Sequence, residues 1–413
     1  MRLAKLEHKN LISYTVFILT IIVVCLHLIS VIFPAFIVST FSIQKINLEL
    51  FELGENAIPL IVSNILLFGF GLMYFKRLRP QTIHRGIRYL LSFEISRKSA
   101  SVIVIIVLSI YVVFSIPDLT INEASEYGDY SILDEALKIW PSGEASNPVV
   151  DELRNRYVKM FLVSTSLNLF NNVKIIPFMG SVALVIVTYF LTKELSGKRF
   201  SGIISMIVLL QSYTFLKYDT IAVYENFWTL FYVVSLYAIY KKWYISTISY
   251  MLSIFSKAIT LAYLPMSLFL VYRADIDKRK KIFLVASYFI MVLAALIIFQ
   301  IGVPFYYETS RIDFTEFWQG LTVWSYSLRF DYLILFAILP LTVALFIKSR
   351  QGFMSADSVL VLILGAIISN PLLQMVSDII FIYPYRFVPL IVFFAIGIGI
   401  LISGRDRQLG STI

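Results

Sequence analysis

The chain has a single cysteine in 413 residues and only 15% charged residues, and each shortage removes a class of protein. With Cys25 alone, intramolecular disulfides and a cysteine-based metal centre are excluded. Charge this sparse, beside 59% hydrophobic content, lies far outside the composition of a soluble domain. No repeat of fixed period is visible. The two halves lack the matching Gly/Pro-broken helices that mark many carriers, and the apolar runs carry almost no ionisable residue near mid-span, where a transporter buries functional charge. The basic start, residues 1–10, leads into a long apolar run without a small-residue cleavage pattern, which reads as a retained anchor. Cys25 and His27 lie in that run, and a packed histidine is the simpler reading of His27.

What the chain does have is apolar runs that approach the roughly 20 residues an α-helix needs to cross a bilayer. They lack the dyad alternation of barrel strands, and in hydrocarbon a helix is the structure that satisfies its own backbone. The expected fold is an all-α polytopic membrane protein of about 12 transmembrane helices. Spans are expected at 11–34, 57–75, 101–117, 173–192, 200–216, 225–240, 281–302, 331–348, 357–375 and 384–403. Residues 244–273 hold two further apolar pieces of about 14 residues each, short for a full crossing, separated at Ser256-Lys257-Ala258.

Lys241-Lys242 and the basic run at 273–281 flank those two pieces, so the positive-inside rule puts both flanks in the cytoplasm. An even number of crossings between them is required, as two short helices or a re-entrant hairpin with Lys257 near the outer turn. The same rule places 1–10, 76–98, 193–199, 348–350 and 405–407 inside, so both termini are expected to be cytoplasmic and the protein to sit in the cell membrane. Roughly two dozen of the 35 Lys and Arg then lie inside and roughly 19 of the 26 Asp and Glu outside. The net charge of +9 is thus a topology signal, not the footprint of a nucleic-acid partner. A basic linker over 76–100 separates an N-terminal two-span extension, 1–100, from a core over 101–413.

Three outer segments follow from this topology: 118–172, 303–330 and the short 376–383. The first gathers Asp118, Glu123, Glu126, Asp129, Asp134, Glu135, Glu144, Asp151 and Glu152. Its turn signals at Pro141-Ser142-Gly143 and Asn147-Pro148 predict helix, turn, helix, and 157–170 is apolar but too short to span, as an interfacial helix would be. A helix through Ile121 to Tyr130 would bring Glu123 and Glu126 to one face with Asp129 next along it. Mutual repulsion raises the pKa of some members of such a cluster, which suits a general base or a cation site; a solvated acidic surface helix is the alternative. Glu225 opens the span at Tyr224-Glu225-Asn226, where N-terminal placement by the helix dipole also explains an acid. Lys257 and Arg386 stand at the ends of outward-facing segments, where snorkelling accounts for each alone. The segment 303–330 carries Tyr306, Tyr307, Phe314, Phe317, Trp318, Trp324, Tyr326 and Phe330 among Glu308, Arg311, Asp313, Glu316 and Arg329. Interfacial anchoring explains such rings, and a lid over an interfacial substrate would need the same composition.

At these residues the chain resembles a family. Arg156-Tyr157 to Ser164, Leu169-Phe170, Pro177 and the run from Tyr189 to Gly202 look like the second-span region of the GT-C membrane glycosyltransferases, particularly the protein-mannosyltransferase and aminoarabinose-transferase branch. Ala222-Val223-Tyr224-Glu225, Phe255-Ser256-Lys257 with Leu264-Pro265, and Tyr385-Arg386-Phe387-Val388-Pro389 agree in order, spacing and sidedness. The resemblance covers roughly 101–403.

It implies an enzyme that moves a sugar from a polyprenyl-phosphate (dolichyl-phosphate-like) donor to a glycan, protein or lipid acceptor on the outer face, with a base in the first large outer loop. The family pattern of an Asp-Glu pair followed by Tyr appears here as Asn122-Glu123 with Tyr127. That departure leaves Glu123, Glu126 and Asp129 competing as the catalytic base. The extra first two spans and the missing soluble C-terminal domain also depart from the pattern. The chemistry needs an acceptor hydroxyl deprotonated on one side and a departing phosphate neutralised on the other. Carboxylates serve the first need; Arg386 and Lys257 serve the second, Arg with a bidentate fork. Glu225 would orient the sugar or hold a divalent cation such as Mg²⁺ or Mn²⁺. A non-catalytic subunit of a membrane complex, or a transporter or flippase of a polar or lipid-linked solute, are the competing readings.

Overall fold

The computed structural model describes residues 2–41, 49–75, 81–123, 126–141, 143, 148–302, 312–375 and 383–403, and no strand occurs among them. In chain order the helices are α1 (Arg2–Ile32), α2 (Pro34–Phe41), α3 (Ala57–Phe75), α4 (Gln81–Ser92), α5 (Arg97–Ser115), α6 (Asp129–Ile139), α7 (Pro148–Arg154), α8 (Tyr157–Phe170), α9 (Ile175–Ser196) and α10 (Arg199–Leu210). They continue as α11 (Tyr213–Tyr218), α12 (Phe227–Lys241), α13 (Trp243–Ser256), α14 (Leu264–Arg273), α15 (Lys278–Gly302), α16 (Phe314–Ser327), α17 (Tyr332–Arg350), α18 (Met354–Gln374) and α19 (Val388–Leu401).

Among the described residues seven stretches are long and apolar enough to cross a membrane: Leu11–Ile32, Arg97–Thr120, Ile175–Ser196, Lys278–Ile298, Tyr332–Arg350, Met354–Gln374 and Pro384–Leu401. Shorter apolar helices cover Ala57–Met73, Arg199–Leu210 and Ala258–Arg273. The protein is therefore an all-helical, multi-pass membrane protein. The span expected over 200–216 does not form as one helix, because the polar pair Gln211-Ser212 separates α10 from the six-residue α11.

The chain forms two compact units, one of Met1–Ala100, Thr192–Ser212 and Thr309–Ile413, the other of Ser101–Leu191 and Tyr213–Glu308. In the first unit α1 packs along α17 and α18, α3 along α17, and α10 along α19. The first hundred residues share a core with the C-terminal helices. Gly399 shows how close this packing is, since a Cβ there would lie 2.7 Å from the Ser201 carbonyl oxygen. The Ser13 hydroxyl on α1 donates to Asp357 Oδ2 on α18 at 2.7 Å and accepts from the Ser349 hydroxyl on α17 at 3.0 Å, a polar tie inside apolar helices. His27 is 1% exposed and its Nδ1 lies 2.8 Å from the Val23 carbonyl, as a packed histidine would.

In the second unit α12 and α13 form an antiparallel hairpin closed by serines. The hydroxyls of Ser246, Ser249 and Ser253 donate to the carbonyls of Ser235, Phe231 and Trp228 at 2.8, 2.7 and 2.5 Å. Small side chains let two backbones approach, and in apolar surroundings each hydroxyl needs such an acceptor. At Lys257 the backbone turns extended, and a 3₁₀ stretch, Ala258–Tyr263, leads into α14. The break expected in 244–273 lies at Lys257. The acidic segment folds as α6, α7 and α8; within it Ser142, Glu144 and Asn147 lie outside the described residues, as do Tyr306, Tyr307, Glu308 and Arg311 of the aromatic segment, residues 76–80, 376–382 and 405–407.

Candidate functional site

All three candidate bases lie in the second unit, and the structure gives each a different surrounding. The turn that sets this up is Asn171 to Lys174. Asn171 ends α8 in the left-handed region, φ 52°, which asparagine tolerates better than most residues. The Asn172 side chain donates to the Leu119 carbonyl at 3.0 Å and accepts from the Lys174 N–H at 2.8 Å, while the Ser166 hydroxyl donates to the Asn172 carbonyl at 2.6 Å. Lys174 is thereby aimed at the start of the acidic segment. Its Nζ donates to the carbonyls of Asp118 and Ile121 at 2.9 and 2.8 Å and pairs with Glu123 Oε1 at 3.0 Å. Three ammonium protons meet three acceptors, so the lysine is fully engaged although it is buried.

Glu123 is the other half of that clamp. Its second oxygen accepts from the Tyr130 hydroxyl at 3.0 Å, and that hydroxyl accepts from the Ala222 N–H at 3.3 Å. Burial, then the Glu123 charge, push the Tyr130 phenol above its ordinary pKa, so it stays a donor. A carboxylate held by an ammonium and a phenol, with its side chain 10% exposed, is poorly placed to take a proton from substrate. The helix expected through Ile121 to Tyr130 is not seen among the described residues: the Glu126 and Tyr127 N–H groups donate to the Glu123 carbonyl at 3.0 and 2.9 Å, and α6 begins only at Asp129.

Glu225 has a similar fate. It pairs with Lys159 at 2.8 Å, the two side chains 4% and 2% exposed, and Lys159 also donates to the Val223 carbonyl at 2.7 Å. The α12 N-cap is Asn226, whose side chain makes no cap hydrogen bond, and Glu225 stands one residue before it. Gly180 on α9 permits the close seat of α12 behind this pair, since a Cβ there would fall 2.9 Å from the buried Phe227 ring.

Asp129 and Glu126 remain. Asp129, at the start of α6, is half-buried and accepts from the Tyr224 hydroxyl at 2.9 Å. Tyr224 is packed edge-on by Tyr127 and Tyr218, at centroid distances of 5.4 and 5.8 Å. Burial, then a hydrogen bond to Glu126, hold the Tyr127 phenol above its usual range. Glu126 itself is 59% exposed and faces Lys217 at 3.5 Å, a weak surface pair. A carboxylate set among tyrosine rings and still partly open to solvent can accept a proton from a hydroxyl seated beside it.

Asp219, between α11 and the 3₁₀ turn Ala222–Tyr224, is the carboxylate the composition gave no reason to single out. It is 1% exposed, and Oδ2 accepts from the Ser115 hydroxyl at 3.1 Å. Burial pushes its pKa up to about 7, against hydrogen bonds that favour the charged form. Its backbone carbonyl accepts from the Ser181 hydroxyl at 2.8 Å, and that hydroxyl accepts from Asn226 Nδ2 at 3.0 Å.

Of the two proposed phosphate-binding cations, Lys257 belongs to this unit. It is 9% exposed, with Nζ 5.1 Å from the centroid of the Trp228 ring, so it is not a snorkelling surface lysine. Arg386 belongs to the other unit, in the 3₁₀ turn Pro384–Phe387, half-buried with its guanidinium 5.8 Å from the Tyr385 ring. Among the described residues no three of Asp, Glu, His and Cys come together as a metal-holding group, and Glu225 is already neutralised by Lys159. Neither Lys159 nor Lys174 was singled out from the sequence. The signal for Lys159 was present: it is the one charged residue of the apolar α8, and an ionisable group in such a helix needs a partner. Comparison with protein-family models, with curated proteins and with solved structures finds no match.

Proposed function

We propose that the protein is an inverting GT-C-type glycosyltransferase that takes a hexose from a polyprenyl-phosphate donor at the outer face of the cell membrane, with Asp129 as the general base. The observation that carries the choice of Asp129 is its contrast with its neighbours: Glu123 is clamped by Lys174 and Tyr130, Glu126 lies open to solvent, and Asp129 is half-buried beside Tyr224. In the step proposed, an Asp129 carboxylate oxygen takes the proton of the acceptor hydroxyl as its oxygen bonds to the anomeric carbon. The bond from that carbon to the phosphate oxygen breaks, and the polyprenyl phosphate leaves with the electron pair. The Tyr224 hydroxyl holds Asp129 in place for this. Lys257, in the same unit as Asp129, is proposed to neutralise the leaving phosphate. Twelve crossings with both termini in the cytoplasm complete the reading.

Membranes carrying Asp129→Asn, Glu126→Gln or Glu123→Gln, assayed with a polyprenyl-phosphate hexose, test it. Transfer lost in Asp129→Asn and retained in Glu126→Gln supports the assignment; full transfer by Asp129→Asn removes it. No donor consumption by the wild type removes the transferase reading itself and favours a non-catalytic subunit or a flippase. Chelation followed by Mg²⁺ or Mn²⁺ reports on a divalent cation.

A further inference from the structure

Helix α4, Gln81–Ser92, has no part in the site described above. By helical register Ile83, Ile87, Leu90 and Leu91 fall on one face, and Arg85, Arg88 and Ser92 on the opposite one. Its 12 residues rise only about 18 Å, too short to cross a bilayer, and two arginines make burial in hydrocarbon costly. Among the described residues no other helix packs extensively along α4, and none of its described side chains is buried. Tyr89 is 67% exposed and Leu90 45%.

The end of α4 fixes its depth. The Lys198 ammonium donates to the Leu91 carbonyl, so a cation caps the C-terminal turn. The Arg199 backbone N–H donates to Glu94 Oε1 at 3.1 Å, and its guanidinium pairs with the same oxygen at 3.3 Å and donates to the Ile95 carbonyl at 3.2 Å. Phe93 meets Phe200 edge-on at 5.0 Å. Lys198 and Arg199 lie just past the end of the spanning helix α9, and the spanning stretch Arg97–Thr120 begins just after Ile95. Spanning helices end at the membrane surface, so α4 is held at that level. Over residues 81–98 the chain carries Arg85, Arg88, Arg97 and Lys98 against one acid, Glu94, which Arg199 already engages.

We propose that α4 is an interfacial helix that binds anionic phospholipids, its apolar face set among the acyl chains and its arginine-bearing face at the phosphates. A helix lying in the membrane plane needs an apolar face below and a basic face above, and basic residues at that depth attract anionic headgroups. A free phosphate or nucleotide would match the charge and leave Leu90 in water. Phosphatidylcholine, with no net charge, would cover Leu90 and leave the arginines without a counter-charge. An acyl chain joined to an anionic headgroup meets both needs. The inference stands whether or not Asp129 is a base.

The test uses the full-length protein with its single cysteine removed by Cys25→Ser, and a bimane fluorophore attached through Leu90→Cys or, on the opposite face, Ser92→Cys. In nanodiscs of phosphatidylcholine mixed with phosphatidylglycerol, the label at 90 is expected to be quenched by lipids brominated on their chains and shielded from aqueous iodide. The label at 92 should show the reverse. Brominated phosphatidylglycerol is expected to quench the label at 90 roughly tenfold more effectively than brominated phosphatidylcholine at the same mole fraction. Arg85→Gln/Arg88→Gln should bring that preference close to one, whereas Lys280→Gln, in the basic run before α15, should leave it unchanged. Added sodium chloride should lower the preference in the protein with both arginines intact, a readout that stands if the double variant does not fold. A label at 90 open to iodide in every bilayer would leave α4 to a soluble protein partner and overturns the proposal. Equal quenching by the two lipids, or a preference abolished by inorganic phosphate at constant ionic strength, overturns it as well.

Discussion

The second unit handles its carboxylates in two opposite ways. At Lys174–Glu123 and Lys159–Glu225 the charges are buried, paired and aimed at backbone carbonyls. At Asp129 and Glu126 the carboxylates face tyrosine rings or solvent and keep open positions. The first arrangement holds structure; the second leaves a group able to exchange a proton. A cluster of acids in sequence is therefore not one site but two kinds of residue, separated by which lysine reaches them.

Breaking the buried pairs should have the largest effect. Lys159→Met leaves Glu225 buried without a counter-charge and is expected to destabilise by about 3–5 kcal/mol, read as a lowered thermal midpoint in detergent, with Lys159→Met/Glu225→Gln recovering most of the loss. If the single variant is as stable as wild type, the pair does not organise the unit.

Asp219 should respond to pH. Its carboxyl holds a proton up to about pH 7 when folded and releases it near 3.8 when unfolded. The folded state therefore binds the extra proton between those values, so stability falls as pH rises from about 4 through 7 and stays reduced above. Asp219→Asn removes that slope and is expected to stabilise the protein at pH 8 by up to about 4 kcal/mol, with little change at pH 4. Equal stability differences at both pH values would show that Asp219 does not carry the raised pKa.

Lys174→Met is expected to cost about 2–4 kcal/mol, because it leaves Glu123 unpaired and frees two carbonyls. Asp129→Asn should sharpen the comparison from the other side, with a stability change below about 1 kcal/mol and a loss of transfer of roughly 10²–10⁴-fold. Glu126→Gln lies at the small end, within about 0.5 kcal/mol, since its pair with Lys217 is exposed and screened. A Glu126→Gln loss equal to that of Asp129→Asn would move the base to Glu126.

Much of the fold was legible because a bilayer imposes length and hydrophobicity on each span independently of its neighbours. Seven long apolar helices, the short apolar helix over Tyr157–Phe170 and the break at Lys257 all follow from runs of residues read one at a time. The packing of the first hundred residues with α16 to α19 was not legible, since apolar surfaces carry no address. The helix expected to align Glu123 with Glu126 failed for a related reason. A three-residue spacing predicts a shared face only where a helix forms, and here the Lys174 clamp holds Glu123 in a turn before α6 begins.

The sequence by itself determined that this is an all-helical membrane protein with carboxylates concentrated beside one set of spans, because hydrophobicity and charge act locally. Only the tertiary structure decided which carboxylates are held by buried lysines. Whether Lys159 and Lys174 neutralise Glu225 and Glu123 depends on residues 66 and 51 positions apart meeting within 3.0 Å, and desolvation then fixes the role of each charge.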